Sequence, residues 1–176
     1  EVAGNGSLDT EAASLDVSAG NLVRLAETTS ATLAAVDTVN GPVSVLAGGN
    51  LTVRTVTAGG SETVTLQAGG SVSDDGNDAT AIAGGVLIVS ATGGIGSADA
   101  LETRVTSLVV TNTGAGNVQL TDLAGGLTIT KITNSGPGNI RIEAAGAGGA
   151  LAVAGNVTAN GDVTLRAANA LTVNAG

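Results

Sequence analysis

One short pattern recurs along this chain at an interval of roughly one solenoid coil, and it constrains the fold more than any other feature. The pattern, aliphatic-x-aliphatic-x-Ala, stands at Val43/Val45/Ala47, Val64/Leu66/Ala68, Leu87/Val89/Ala91, Ile140/Ile142/Ala144 and Val163/Leu165/Ala167. Alternation of this kind marks a strand with one buried face. Val23/Leu25/Glu27 and Val118/Leu120/Asp122 keep the aliphatic pair and place a carboxylate where the others have Ala. First members fall at 23, 43, 64, 87, 118, 140 and 163, with spacings of 20, 21, 23, 31, 22 and 23. A parallel pair linked through a helix needs about 30 or more residues, so no helix fits between successive strands.

A second short strand lies between copies, as in Leu51-Thr52-Val53, Leu127-Thr128-Ile129, Leu151-Ala152-Val153 and Leu171-Thr172-Val173. A third follows at Val56-Thr57, Ile132-Thr133 and Val157-Thr158. Seven Gly-Gly doublets, and Asn-Gly at 40–41 and 160–161, separate the strand signals and mark turns. Each repeat thus reads as three short strands and three turns. Asn-Gly also suits antiparallel hairpins, but a hairpin meander gives no reason for a fixed repeat.

A single coil cannot bury its apolar face, whereas stacked coils pair every backbone group and align like side chains. The expected fold is all-β, a right-handed parallel β-helix of about eight coils of roughly 20–23 residues, near ~38 Å long at ~4.8 Å per coil. Composition agrees. The apolar 43% is entirely Ala, Val, Leu and Ile, with no aromatic residue, Met or Cys, which suits a narrow bore lined by stacked aliphatic side chains. Charged residues make up only 12% of the chain and mean hydropathy is positive, which disfavours disorder.

A longer internal match divides the chain into two imperfect halves, about residues 1–93 and 94–176. Leu8 to Val17 and Leu101 to Val110 both obey Leu-[Asp/Glu]-Thr-x-x-x-Ser-Leu-x-Val. The lead-in to the second copy, Leu87 to Ser97, is reproduced within one residue by writing residue 1 after residue 176. No polar capping repeat stands at either end, and uncapped ends template association. The expectation is a single β-helix segment, one unit of a tandem array or a subunit stacking head to tail through non-closing contacts. The residues expected at the junction are Leu8, Leu15 and Val17 at one end, and Val163, Leu165, Leu171 and Val173 at the other.

Several function classes are disfavoured. A net charge of −9 with six scattered basic residues offers no stripe to neutralise phosphates, so no nucleic-acid partner is expected. The longest apolar run, Gly85 to Val89, is far short of the roughly 20 residues of a membrane helix, so no membrane insertion is expected. His, Cys and Tyr are absent, leaving Ser, Thr, Lys131 and carboxylates in no recognisable catalytic constellation. No enzyme activity, catalytic residue, cofactor or metal is therefore assigned.

Three weaker features stand out. Ser73-Asp74-Asp75-Gly76-Asn77-Asp78 is the densest acidic loop. Asp74, Asp75 and Asp78 could offer oxygen ligands to Ca²⁺, although a solvated turn is the simpler reading. Asn5, Asn50 and Asn156 fit the N-glycosylation acceptor pattern. Outward Thr52, Thr65, Thr128, Thr130, Thr164 and Thr172 could form a water- or ice-ordering face, which Arg54, Gln67, Lys131 and Arg166 interrupt.

The stretch Gly93-Gly94-Ile95-Gly96-Ser97-Ala98-Asp99-Ala100-Leu101-Glu102-Thr103, with Ser107-Leu108 and the preceding loop Gly70 to Gly76, resembles the repeat body of filamentous-haemagglutinin-like large exoproteins, adhesins of the two-partner secretion type. The resemblance implies a right-handed β-helix, export to the cell surface, and use as a stalk for adhesion or matrix. The expected partners are further copies of the chain, head to tail, and a host or surface glycan. The expected function is a structural extracellular fibre or adhesin-stalk segment; the alternatives are a carbohydrate-active β-helix enzyme and an ice- or surface-binding solenoid.

Overall fold

The structure, a computed structural model, describes residues 12–79 and 81–174. Its strands form two sheets, of nine and ten strands, sharing one aliphatic interior. Every strand pair among the described residues is parallel. The chain is a parallel β-solenoid of about eight coils, and the Asn-Gly pairs turn corners between sheets rather than closing hairpins.

Sheet A stacks Val23–Glu27, Val43–Ala47, Thr63–Ala68, Val86–Ala91, Ser107–Asn112, Gly126–Asn134, then Ala150–Val153 with Val157–Ala159, and Leu171–Val173. Sheet B stacks Ser14–Ala19, Ala31–Thr38, Leu51–Val53 with Val56–Ala58, Val72–Asp74 with Ile82–Ala83, Leu101–Arg104, Val118–Asp122, Ile140–Ala144 and Val163–Ala167. The inward columns run in register. In sheet A, Val43, Val64, Leu87, Leu108, Ile129 and Val153 follow one another. In sheet B, Ala31, Leu51, Val72, Ile95, Val118, Ile140 and Val163 do the same. Most of these side chains are fully enclosed by the coils on either side, so the shared bore is packed with methyl groups.

The 31-residue gap between positions 87 and 118 is not a long coil. Leu87 is followed in its own column by Leu108, whereas Val118 belongs to the other sheet. The aliphatic-x-aliphatic-x-Ala pattern therefore changes sheets along the chain. In the early coils sheet A carries a straight strand, Val43–Ala47, and sheet B a bent pair, Leu51–Val53 and Val56–Ala58. From Val118 onward the straight strand lies in sheet B and the bent one in sheet A, where Gly126–Asn134 shifts register past Thr130. The two copies of the longer motif follow this exchange, with Ser14–Ala19 in sheet B and Ser107–Asn112 in sheet A.

Close approach between coils explains the turn glycines. A Cβ on Gly69 would lie 2.2 Å from the carbonyl oxygen of Gly48 one coil earlier, so that corner excludes any side chain. A neighbouring corner is tied by side chains. Ser30 Oγ accepts from the Asn50 N–H at 2.8 Å, and Asn50 Oδ1 from the Ser71 N–H at 2.9 Å. Asn117 Oδ1 accepts from the Asn139 N–H and Asn139 Oδ1 from the Asp162 N–H, both at 2.9 Å. Inside, Asn112 Nδ2 donates to Asn134 Oδ1 at 2.9 Å; both residues are fully buried, and they stand where earlier coils have Ala68 and Ala91.

Candidate functional site

Two places depart from the uniform stack: an acidic pocket at the level where the sheets exchange roles, and the interior face of the final coil. The pocket forms because two successive coils carry insertions in sheet B. The first lies between Asp74 and Ile82, and the second between Ile95, which bridges Val72 and Val118, and Leu101. The second loop turns at Gly96, whose φ is +59° and whose added Cβ would meet the Gln119 carbonyl oxygen at 2.2 Å. Only glycine fits such a site without strain. Gln119 Nε2 donates to the Ser97 carbonyl at 2.9 Å and holds the loop against the next coil.

The two loops bring three carboxylates together. Asp78, Asp99 and Glu102 each present an oxygen, all within 4.8 Å of one another. Asp78 and Asp99 are exposed, but Glu102 is only 5% exposed. On an alternating strand its inward neighbours Leu101 and Thr103 direct Glu102 to the outer side, so its burial comes from outside the bore. Glu102 Oε2 has no hydrogen-bond partner among the described residues. Burial, and next the charge of Asp74, push its pKa up to about 7.

Asp74 is 9% exposed. Its Oδ2 accepts from the N–H groups of Gly76 at 2.6 Å and Asn77 at 3.1 Å, while Oδ1 has no partner. Burial raises its pKa against those two hydrogen bonds. Asp75 faces elsewhere and pairs with Arg54 at 3.2 Å. Of the three candidate ligands in the acidic loop, the structure therefore places Asp78 in the cluster, Asp74 beside it and Asp75 in a surface ion pair. Asp99 ends the stretch Gly93 to Asp99, which approaches the nonapeptide Ca²⁺ repeat with its Asp one place late and by sequence reads as a turn, and Glu102 carries no such signal. The available signal is spacing: Asp78 and Asp99 are 21 residues apart, one coil.

Asp122, the carboxylate in an Ala position, is a structural group. It is fully buried, and Oδ1 accepts from Thr103 Oγ1 and the Val105 N–H, both at 3.0 Å. Oδ2 accepts from the Ala124 N–H at 3.1 Å. Burial raises its pKa and these donors oppose the rise.

At the final coil the inward columns open. Val163, Leu171 and Val173 are 46%, 48% and 64% exposed, whereas Ile140, Leu151 and Val153, their register partners one coil earlier, are buried. Leu165 is half-buried. Of the residues expected at the other end, Leu15 is buried and Val17 half-buried, while Leu8 lies outside the described residues, as does Asn5. Asn50 and Asn156 are exposed, although the Asn50 side chain is engaged by Ser71. The threonines share no single face. Thr65 stands in the column Arg24, Ser44, Thr65, Ile88, Val109, Lys131 of sheet A, and Thr52 in sheet B between Thr32 and Ser73.

No protein-family model, curated protein or solved structure matches this chain. No helix among the described residues is long and apolar enough to cross a membrane.

Proposed function

We propose that this chain is a segment of an extracellular structural rod, a fibre or adhesin stalk, that lengthens by stacking one coil upon the next. The observation that carries the reading is the final coil: the aliphatic columns that are sealed at Ile140, Leu151 and Val153 stand open at Val163, Leu171 and Val173. A further coil laid in register would cover them and satisfy the free edge of each sheet. That coil can come from the same polypeptide or from another copy. These side chains are already roughly half covered, so sealing each would contribute about half of the ~1.5–3 kcal/mol of full burial, and the hydrogen bonds of two parallel ladders add direction. Sequence supports the reading too, since the end of the repeat reads on into its beginning. The work of such a segment is mechanical, and the resemblance to exported adhesin bodies supports a place at the cell surface.

Electron microscopy of the purified chain over a concentration series tests this. Rods that lengthen with concentration, in steps near the ~38 Å of one eight-coil stack, are expected. Replacing Leu171 and Val173 by Asp should leave single particles with an unchanged β circular-dichroism spectrum. Particles of one length at every concentration contradict the proposal.

A further inference from the structure

The geometry points to a Ca²⁺ site at Asp78, Asp99 and Glu102, backed by Asp74, that clips the insertions of two successive coils to each other. Three oxygens that all lie within 4.8 Å of one another are spaced for one ion: Ca²⁺ binds oxygens at about 2.3–2.6 Å, so two ligands across it are up to ~5 Å apart. Mg²⁺ holds its ligands at about 2.0–2.1 Å in a stricter octahedron and suits this spread less well. The ligand type is right, since hard cations take carboxylate and carbonyl oxygen, with water completing the shell.

Proximity of acidic groups would not suffice, because exposed carboxylates gather on many surfaces. The second observation is the pair of buried oxygens without partners. Glu102 Oε2 and Asp74 Oδ1 belong to side chains 5% and 9% exposed, and neither has a hydrogen bond among the described residues. Buried polar atoms are rarely left unmatched, and each exception calls for an unseen partner. Arg54, which reaches the first loop, pairs there with Asp75. One divalent cation would satisfy Glu102 directly, bring Asp78 and Asp99 over it, and offset the charge of Asp74.

The position has a structural logic. Inserted residues 75–79 and 96–100 lie outside the strands of the two sheets, so these stretches lack the continuous ladder that joins other coils. An ion ligated by Asp78 from one loop, and by Asp99 and Glu102 from the next coil, restores a cross-link where the ladder is thinnest. Such a clip operates in a single particle as well as in a fibre, so it stands apart from the stacking proposal.

Isothermal titration of the metal-stripped full chain with CaCl₂ tests the site. One saturable binding event is expected, with MgCl₂ giving a much weaker one. Binding should be lost in Glu102→Gln and in Asp99→Asn, and retained in Asp75→Asn, which breaks only the pair with Arg54. Because the chain has no aromatic residue, unfolding is followed by far-ultraviolet circular dichroism. Ca²⁺ should raise the melting temperature of the wild type and leave that of Asp99→Asn unchanged; Asp99 is exposed, so that variant is expected to fold even if Glu102→Gln does not. The site is overturned by no saturable Ca²⁺ binding to the folded wild type at about ten times the ~1 mM dissociation constant of the weakest extracellular modules. It is equally overturned if both variants keep wild-type binding, or if Mg²⁺ binds as tightly as Ca²⁺.

Discussion

The coils from Val118 onward and the coils between Val72 and Arg104 keep the same register, yet they are held together differently. In the later coils every sheet B strand is a straight five-residue segment, Val118–Asp122, Ile140–Ala144 and Val163–Ala167, paired along its length. Between Val72 and Arg104 the same sheet is broken into short pieces, and Ile95 is joined only by single bridges. The interior column is continuous through both regions. A solenoid can thus carry insertions wherever its inward residues keep their places; polar groups inside the coil, such as Asn112, Asn134 and Asp122, have their hydrogen bonds met there, whereas the unmatched carboxylates Asp74 and Glu102 stand at the insertions.

The largest expected effect lies in the regular column. Leu66→Ala removes a fully buried side chain that stacks between Val45 and Val89, and should cost about 3 kcal/mol in denaturant unfolding. A cost below ~1 kcal/mol would mean that the bore is loosely packed. Asp122→Ala comes next, at about 2 kcal/mol, because it leaves Thr103 Oγ1 and the buried Val105 N–H without an acceptor. Gly96→Ala addresses the irregular region. The positive φ and the clash with the Gln119 carbonyl predict a loss of about 1–2 kcal/mol, with the 96–100 loop losing protection from hydrogen exchange before the later coils do. Equal loosening of both regions would show that the insertions are not separable from the stack.

Two smaller effects sharpen the contrast. Burial raises the Asp122 pKa, so the folded chain binds this proton more readily than the unfolded chain does. The contribution is fully present below the unfolded pKa and is lost as pH rises through the folded one. Stability should therefore rise as pH falls through the folded Asp122 pKa towards the unfolded one, and Asp122→Asn should flatten part of that slope; an unchanged slope would mean that the Asp122 carboxyl contributes nothing to it. Arg54→Ala breaks an ion pair whose Arg side chain is 59% exposed. It should change stability by about 0.5 kcal/mol or less, so a loss well beyond that would give the surface of the irregular coil a weight this account denies it.

Much of the fold was legible because coil length and period two leave a direct imprint on the order of residues. Val43/Val45/Ala47 and Ile140/Ile142/Ala144 announce inward faces without any knowledge of the sheet they join. That last point was not legible: the same short pattern serves sheet A early and sheet B late, so following it alone produced a false interval of 31 residues between Leu87 and Val118. Leu108, Val110 and Asn112 complete the true column, but Asn at the third place hides the match. At the acidic pocket, the loop from Asp74 to Asp78 was conspicuous as a run. Glu102 was not, because an outward position on a strand ordinarily meets water, and its burial depends on loops whose paths are set by Gly76 and Gly96.

Successive coils lie directly upon one another in the stated register, and a spin-label distance along one column reads that stacking out. The chain has no cysteine, so Arg24→Cys with Lys131→Cys gives a clean labelled pair. These positions are joined through Ser44, Thr65, Ile88 and Val109 by five register steps, or ~24 Å between Cα atoms at ~4.8 Å per step. Pulsed electron–electron resonance should give one narrow distribution around that separation, broadened only by the label linkers. A broad distribution, or a maximum beyond ~40 Å, would contradict the stacked solenoid and the function built on it.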